Sequence, residues 1–133
     1  VSVLHVHAAA ADYKGNPLYD GFELTVQPLD ADDNTVRKIG SLTVTAYAFN
    51  VKTKSGRGPE LMRWFVPTAR MMDAWQRIGL DDGYRLRLSW ERRPRETYIV
   101  LEATFRQPDG RTFTALKAPI SIEQTRYRYL MKR

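Results

Sequence analysis

The chain has 133 residues, with 21 Lys and Arg against 15 Asp and Glu, a formal net charge of +6, and no cysteine. That length suits one domain burying roughly two thirds of its unfolded surface, and the absence of Cys excludes disulfides, thiolate metal sites and cysteine nucleophiles. No apolar run approaches the ~20 residues that a membrane-spanning helix needs.

Val1 to Ala9 reads as a first strand, with Leu4, Val6 and Ala8 on one face and Val1, Val3, His5 and His7 on the other. Asp12 to Gly21 is a turn-rich loop. A second strand runs from Phe22 to Gln27 and is expected to stop at Pro28, which cannot donate to a ladder. Asp30 to Asn34 is an acidic turn, Val36 to Ile39 pairs briefly, and Ser41 to Phe49 alternates as a full strand. Val51 to Glu60, built around Lys-Ser-Gly-Arg-Gly-Pro, reads as an exposed, mobile loop. Arg63 to Val66 is a short strand ended by Pro67.

The next segment changes period. Thr68 is a good N-cap, and Met71, Trp75 and Ile78 recur at helical spacing before Gly79. One short inserted helix is therefore expected near 68–78. Strands follow over Tyr84 to Trp90 and Thr97 to Arg106, then a Pro108-Asp109-Gly110 turn, a return through Thr112 to Leu116, an interruption at Pro119 and an edge strand at Ile120 to Ile122. The whole predicts an all-β antiparallel β-sandwich of seven to nine strands, immunoglobulin-like or transthyretin-like. Residues 1–123 form this domain, and residues 124–133 are a basic, aromatic tail or a last edge strand.

Several pieces occur in a recognisable order. They are Asp20-Gly21-Phe22-x-Leu24-x-Val26-Gln27-Pro28-x-Asp30-Ala31, then Val36, Gly40-x-Leu42-x-Val44, and Arg63-Trp64. Gly83-Tyr84-x-Leu86-x-Leu88-x-Trp90, Pro94 and Pro108-Asp109-Gly110-Arg111 complete the set. Across about residues 3–122 the chain resembles an uncharacterised domain of predicted exported proteins and lipoproteins of planctomycete-type bacteria. The resemblance implies a β-sandwich and an exported setting, in the periplasm or cell envelope, and carries no catalytic residues. Where that family often shows an acidic Gly-Asp-Asp-Gly turn before the second strand, this chain has Pro17-Leu18-Tyr19-Asp20-Gly21, with fewer carboxylates for a cation. The start at Val1 rather than Met fits an earlier signal peptide or upstream domain.

Two sets of residues are candidate metal ligands. His5 and His7 share a strand face with Cα atoms about 7 Å apart, a span that one Zn²⁺ bridges. Asp30-x-Asp32-x-Asn34 resembles the opening of a calcium loop, but Thr35 and Ser41 stand where the loop needs Gly and Glu. The turn-forming habit of Asp and Asn is the simpler reading. No Ser has a nucleophile-elbow context and no phosphate loop is present, so the expectation is a protein that is not an enzyme and takes no cofactor.

The basic residues are more suggestive. Residues 1–50 carry three Lys/Arg and six Asp/Glu, residues 51–133 eighteen and nine, and 15 of the 21 basic residues are Arg, which pairs bidentately with anions. Arg85 and Arg87 share one strand face, Arg92, Arg93 and Arg95 cluster at its exit, and Arg106 is expected on the neighbouring strand. Glu91, Glu96 and Glu102 sit among them and would neutralise much of the patch by cross-strand pairing. Trp64, Trp75 and Trp90 each lie on an apolar stripe and read as core.

The sequence therefore predicts a non-catalytic interaction or structural module of an exported bacterial protein, its partner a protein or cell-envelope component. The alternative is a domain binding an anionic polymer, polysaccharide or nucleic acid, through those arginines. Edge strands near either terminus offer a route to self-association.

Overall fold

Nine elements follow one another in the computed structural model, which describes residues 3–11, 21–77, 82–92, 94–96 and 98–121. They are β1 (Val3–Ala11), β2 (Gly21–Leu29), β3 (Ser41–Phe49), β4 (Arg57–Val66), α1 (Thr68–Asp73), β5 (Trp75–Gln76), β6 (Gly83–Ser89), β7 (Tyr98–Arg106) and β8 (Thr112–Ser121). The strands form two four-stranded antiparallel sheets, in the orders β1-β2-β6-β5 and β4-β3-β7-β8. The chain crosses between sheets after β2, β4 and β6. This is the immunoglobulin-type order with one strand added beside β3. The tail 124–133, most of the loop Asp12–Gly21, and Ile78 and Ile122 lie outside the described residues.

Burial follows the alternation. Phe22, Leu24 and Val26 of β2 are buried while Glu23 is exposed, and on β6 Tyr84, Leu86 and Leu88 alternate with exposed Arg85, Arg87 and Ser89. Leu42, Val44 and Ala46 of β3 and Ile99, Leu101, Ala103 and Phe105 of β7 complete the layer from the other sheet. β7 breaks the alternation at Val100, which is fully buried. The β3–β4 turn explains this: Gly56 comes close to both Val100 and Phe49 and covers that point of the outer face.

Three prolines and the helix differ from the sequence expectation. β2 runs through Pro28 to Leu29. The Pro28 carbonyl accepts from Val36 N–H at 2.8 Å, so its nitrogen, on the same side of the strand, lies past the end of the β6 ladder where no donor is needed. In place of a brief strand at Val36–Ile39 there is a single bridge, Leu29 to Thr35.

The loop expected over Val51–Glu60 closes early. Asn50 and Gly56, at φ 76°, tie a short turn, and β4 begins at Arg57. Pro59 sits where the β3–β4 register shifts, on a strand with one neighbour among the described strands. β8 is likewise one strand, because a register shift opposite Ile99–Leu101 absorbs Pro119.

The helix expected over 68–78 ends at Asp73, and its N-cap is Pro67, with no side-chain capping bond, in place of Thr68. Ala74 N–H bonds to Met71 O, and Arg85 N–H then takes Ala74 O. Trp75 pairs with Tyr84 as part of β5, its ring edge-on to the tyrosine at 4.9 Å. Met71 still fills the core, so one helical turn is used and the pairing with β6 wins beyond it.

Tyr84 ties the core to the segment before β3: its hydroxyl donates to the Lys38 carbonyl. Burial raises its pKa above the ordinary 10.0, with Arg37 opposing. In the unfolded chain the phenol ionises near 10, while the folded protein holds the proton to higher pH. Tyr84 thus contributes stability that is constant below about pH 10 and lost above it. Urea midpoints between pH 9 and 11 should fall more steeply for the native chain than for Tyr84→Phe; parallel slopes would remove this assignment.

At the start of β2 a Cβ on Gly21 would run into the Leu88 carbonyl of β6. Gly21→Ala therefore has to force a pair of hydrogen-bonded strands away from each other. It should cost about 1–3 kcal/mol or more in urea unfolding, the range for overpacking a filled interior. A loss under ~0.5 kcal/mol would mean that the strands separate freely there.

Candidate anion-binding site

The arginines expected to form one patch are dispersed over three places. β6 and β7 belong to different sheets, so Arg106 is not on a strand neighbouring Arg85 and Arg87. It stands at the end of β7, opposite Ser41 and Thr112. Consecutive strands cross between sheets here because the sandwich must cover both inner faces. Arg93 lies outside the described residues.

Arg85 and Arg87 project from the outer face of the β1-β2-β6-β5 sheet. Register places His7, Thr25 and Arg85 in one row and Glu23 and Arg87 in the next. With Gln76 these side chains line a shallow groove of about 360 Å³. Arg87 pairs with Glu23 at 3.6 Å, both well exposed, an ion pair of small value. His5 Nδ1 donates to Gln27 Oε1 at 3.1 Å, and Gln27 Nε2 donates to the Asp82 carbonyl at 3.0 Å, so His5 is held beside Gln27. Among the described residues no group of three or more His, Asp or Glu is placed to hold a metal.

The acidic segment is a turn. Asp30 Oδ1 accepts from Asp32 N–H at 2.9 Å and from Asn34 N–H at 3.0 Å, and Asp33 adopts φ 61°. The Asp30 carboxylate is thus engaged with its own backbone, while Asp32 and Asn34 supply the amides that it caps.

The third place is the connection from β6 to β7. Leu61 of β4 and Trp90, Arg92, Pro94 and Arg95 of the connection line a cleft of about 500 Å³. It exists because β5 is only two residues long and pairs with Gly83 and Tyr84, leaving the far end of β6 to be covered by β4. Trp64 of β4 reaches across and donates its indole N–H to the Ser89 carbonyl at 2.9 Å. Its ring joins Phe22 and Trp90 in a three-ring cluster, with centroids 4.8 Å apart for Phe22–Trp90, 5.2 Å for Trp64–Trp90 and 5.7 Å for Phe22–Trp64.

Two features of the cleft bear on chemistry. Arg92 and Arg95 are exposed and have no carboxylate partner among the described residues. Glu102, expected to screen them, is taken by Arg57 at 2.6 Å, and the Arg57 guanidinium lies over Tyr47. Further, Trp90 Nε1 is buried without a hydrogen-bond partner. Such a donor costs about 1–3 kcal/mol relative to a satisfied one.

Among the described lining residues the charged side chains are thus donors only, the two guanidiniums. Leu61, Trp90 and Pro94 were not singled out as site residues from sequence. The legible signal was an aromatic residue closing an apolar stripe immediately before an arginine cluster. Compared with protein-family models, curated proteins and solved structures, the chain finds no match in any of the three.

The two indoles of the cluster predict opposite mutational responses. Trp64→Phe leaves the Ser89 carbonyl without its donor and should cost about 1 kcal/mol or more in urea unfolding. Trp90→Phe removes an unpaired buried N–H while keeping an aromatic ring, and should stay within about 1 kcal/mol of the native chain. A Trp90→Phe loss exceeding that of Trp64→Phe would show the Trp90 indole N–H to be satisfied in solution.

Proposed function

We propose that this chain is a non-catalytic interaction module of an exported bacterial protein, and that it engages an anionic partner through the cleft between β4 and the β6–β7 connection. The observation that carries the reading is the pair of arginines, Arg92 and Arg95, lining that cleft free of described carboxylates beside an apolar floor. Guanidinium forks bind carboxylate, sulfate or phosphate bidentately. The rigid end of β6 holds the tryptophan floor in place while Arg92 and Arg95 stand on the connection itself. The net charge of +6 adds attraction to any polyanion at low salt. A partner in the cell envelope suits the exported setting that the family resemblance implies.

Elution from immobilised heparin across a salt gradient tests this. Arg92→Glu/Arg95→Glu should elute markedly earlier than Arg85→Glu/Arg106→Glu, which makes the same change of charge at arginines elsewhere on the surface. Equal shifts for the two double variants would reduce the effect to net charge and sink the cleft as the binding site.

A further inference from the structure

Resting on the reading of the cleft as a binding site, we infer that its ligand is an acidic sugar residue of a polysaccharide. The lining sets the chemistry. The charged side chains among the described lining residues are both donors, so the ligand must bring acceptors, and the two guanidiniums require at least one to be anionic.

Three classes of anionic polymer compete, and the geometry separates them. Single-stranded nucleic acid is held largely by stacking bases on open aromatic faces. The Trp90 ring is packed against Phe22, nearly edge-on at 4.8 Å, and against Trp64 at 5.2 Å, so it is engaged in its own cluster and is not a free stacking platform. An acidic peptide brings backbone N–H groups, which are donors only, to described side chains that supply no acceptor. Sugar hydroxyls accept as well as donate, so a sugar acid meets a donor-only wall without leaving its own groups unmatched. Leu61 and Pro94 provide apolar surface for the C–H side of the ring. At about 500 Å³ the cleft falls within the size range of small-ligand sites and accommodates one or two such residues. Carboxylated and sulfated sugars share this chemistry.

Calorimetric titration at one ionic strength with four probes decides the matter: an oligogalacturonate, a heparin hexasaccharide, an eight-residue oligo-dT and a Glu-rich octapeptide. One of the two oligosaccharides should bind at least tenfold tighter than the DNA and the peptide, and which one it is identifies the anion as carboxylate or sulfate. Arg92→Gln/Arg95→Gln should weaken that binding at least tenfold.

Tighter binding of oligo-dT or the peptide, or sugar binding indifferent to the double arginine variant, overturns the sugar assignment. In the first case the cleft survives as an anion site for another polymer. Binding by none of the four, together with heparin retention that ignores Arg92 and Arg95, removes the broader reading as well.

Discussion

Two pleated sheets each bury one face against the other, and the fold is arranged around that shared layer. Phe22, Leu24, Val26, Leu86 and Leu88 from one sheet meet Leu42, Val44, Leu101, Ala103 and Phe105 from the other. A one-residue slip in any of these strands would turn its apolar set to solvent, so the burial pattern holds the register. The devices at the periphery protect that layer. Tyr84 fastens the segment before β3, Met71 plugs one flank from α1, and the β3–β4 turn folds over Val100.

The edges of the sandwich are where regularity yields. Among the described strands β4 and β8 each have one neighbour, and both carry a proline at a register shift. Such irregular edges resist addition of another chain. β5 is so short that the far end of β6 would stand open, and β4 supplies the cover through Trp64 and Leu61. Covering a strand end with large side chains in place of a paired strand leaves gaps. The cleft beside Trp90 is such a gap, and the same crowding of three rings accounts for an indole N–H that packs without finding an acceptor.

Charge is sorted by the same architecture. Where strands run side by side, opposite charges meet: Arg87 with Glu23 between β6 and β2, and Arg57 with Glu102 across the outer face of the other sheet. Within turns, Arg111 pairs with Asp109, holding that carboxyl below its ordinary range through backbone and side-chain hydrogen bonds. The β6–β7 connection carries Glu91 and Glu96, yet among the described residues neither Arg92 nor Arg95 forms an ion pair, whereas most described arginines on or beside strands are partly neutralised.

Period two and turn chemistry were enough for the sequence to determine an all-β sandwich, the limits of β3 and most inward residues of β2, β3, β6 and β7, with Thr45 and Val100 the exceptions, since each of these follows from local stereochemistry and alternation. The candidate site was only partly legible: Arg92 and Arg95 were visible as a cluster, but Leu61, Trp90 and Pro94 come together through packing between residues about 30 positions apart. Tertiary structure alone decided that β6 and β7 lie in opposite sheets, separating Arg106 from Arg85, and that Trp75 extends a sheet in place of a helix. The reason is that strand order and partner choice depend on which faces must be covered and which backbone groups must be bonded across long sequence separations, and no local period carries that information.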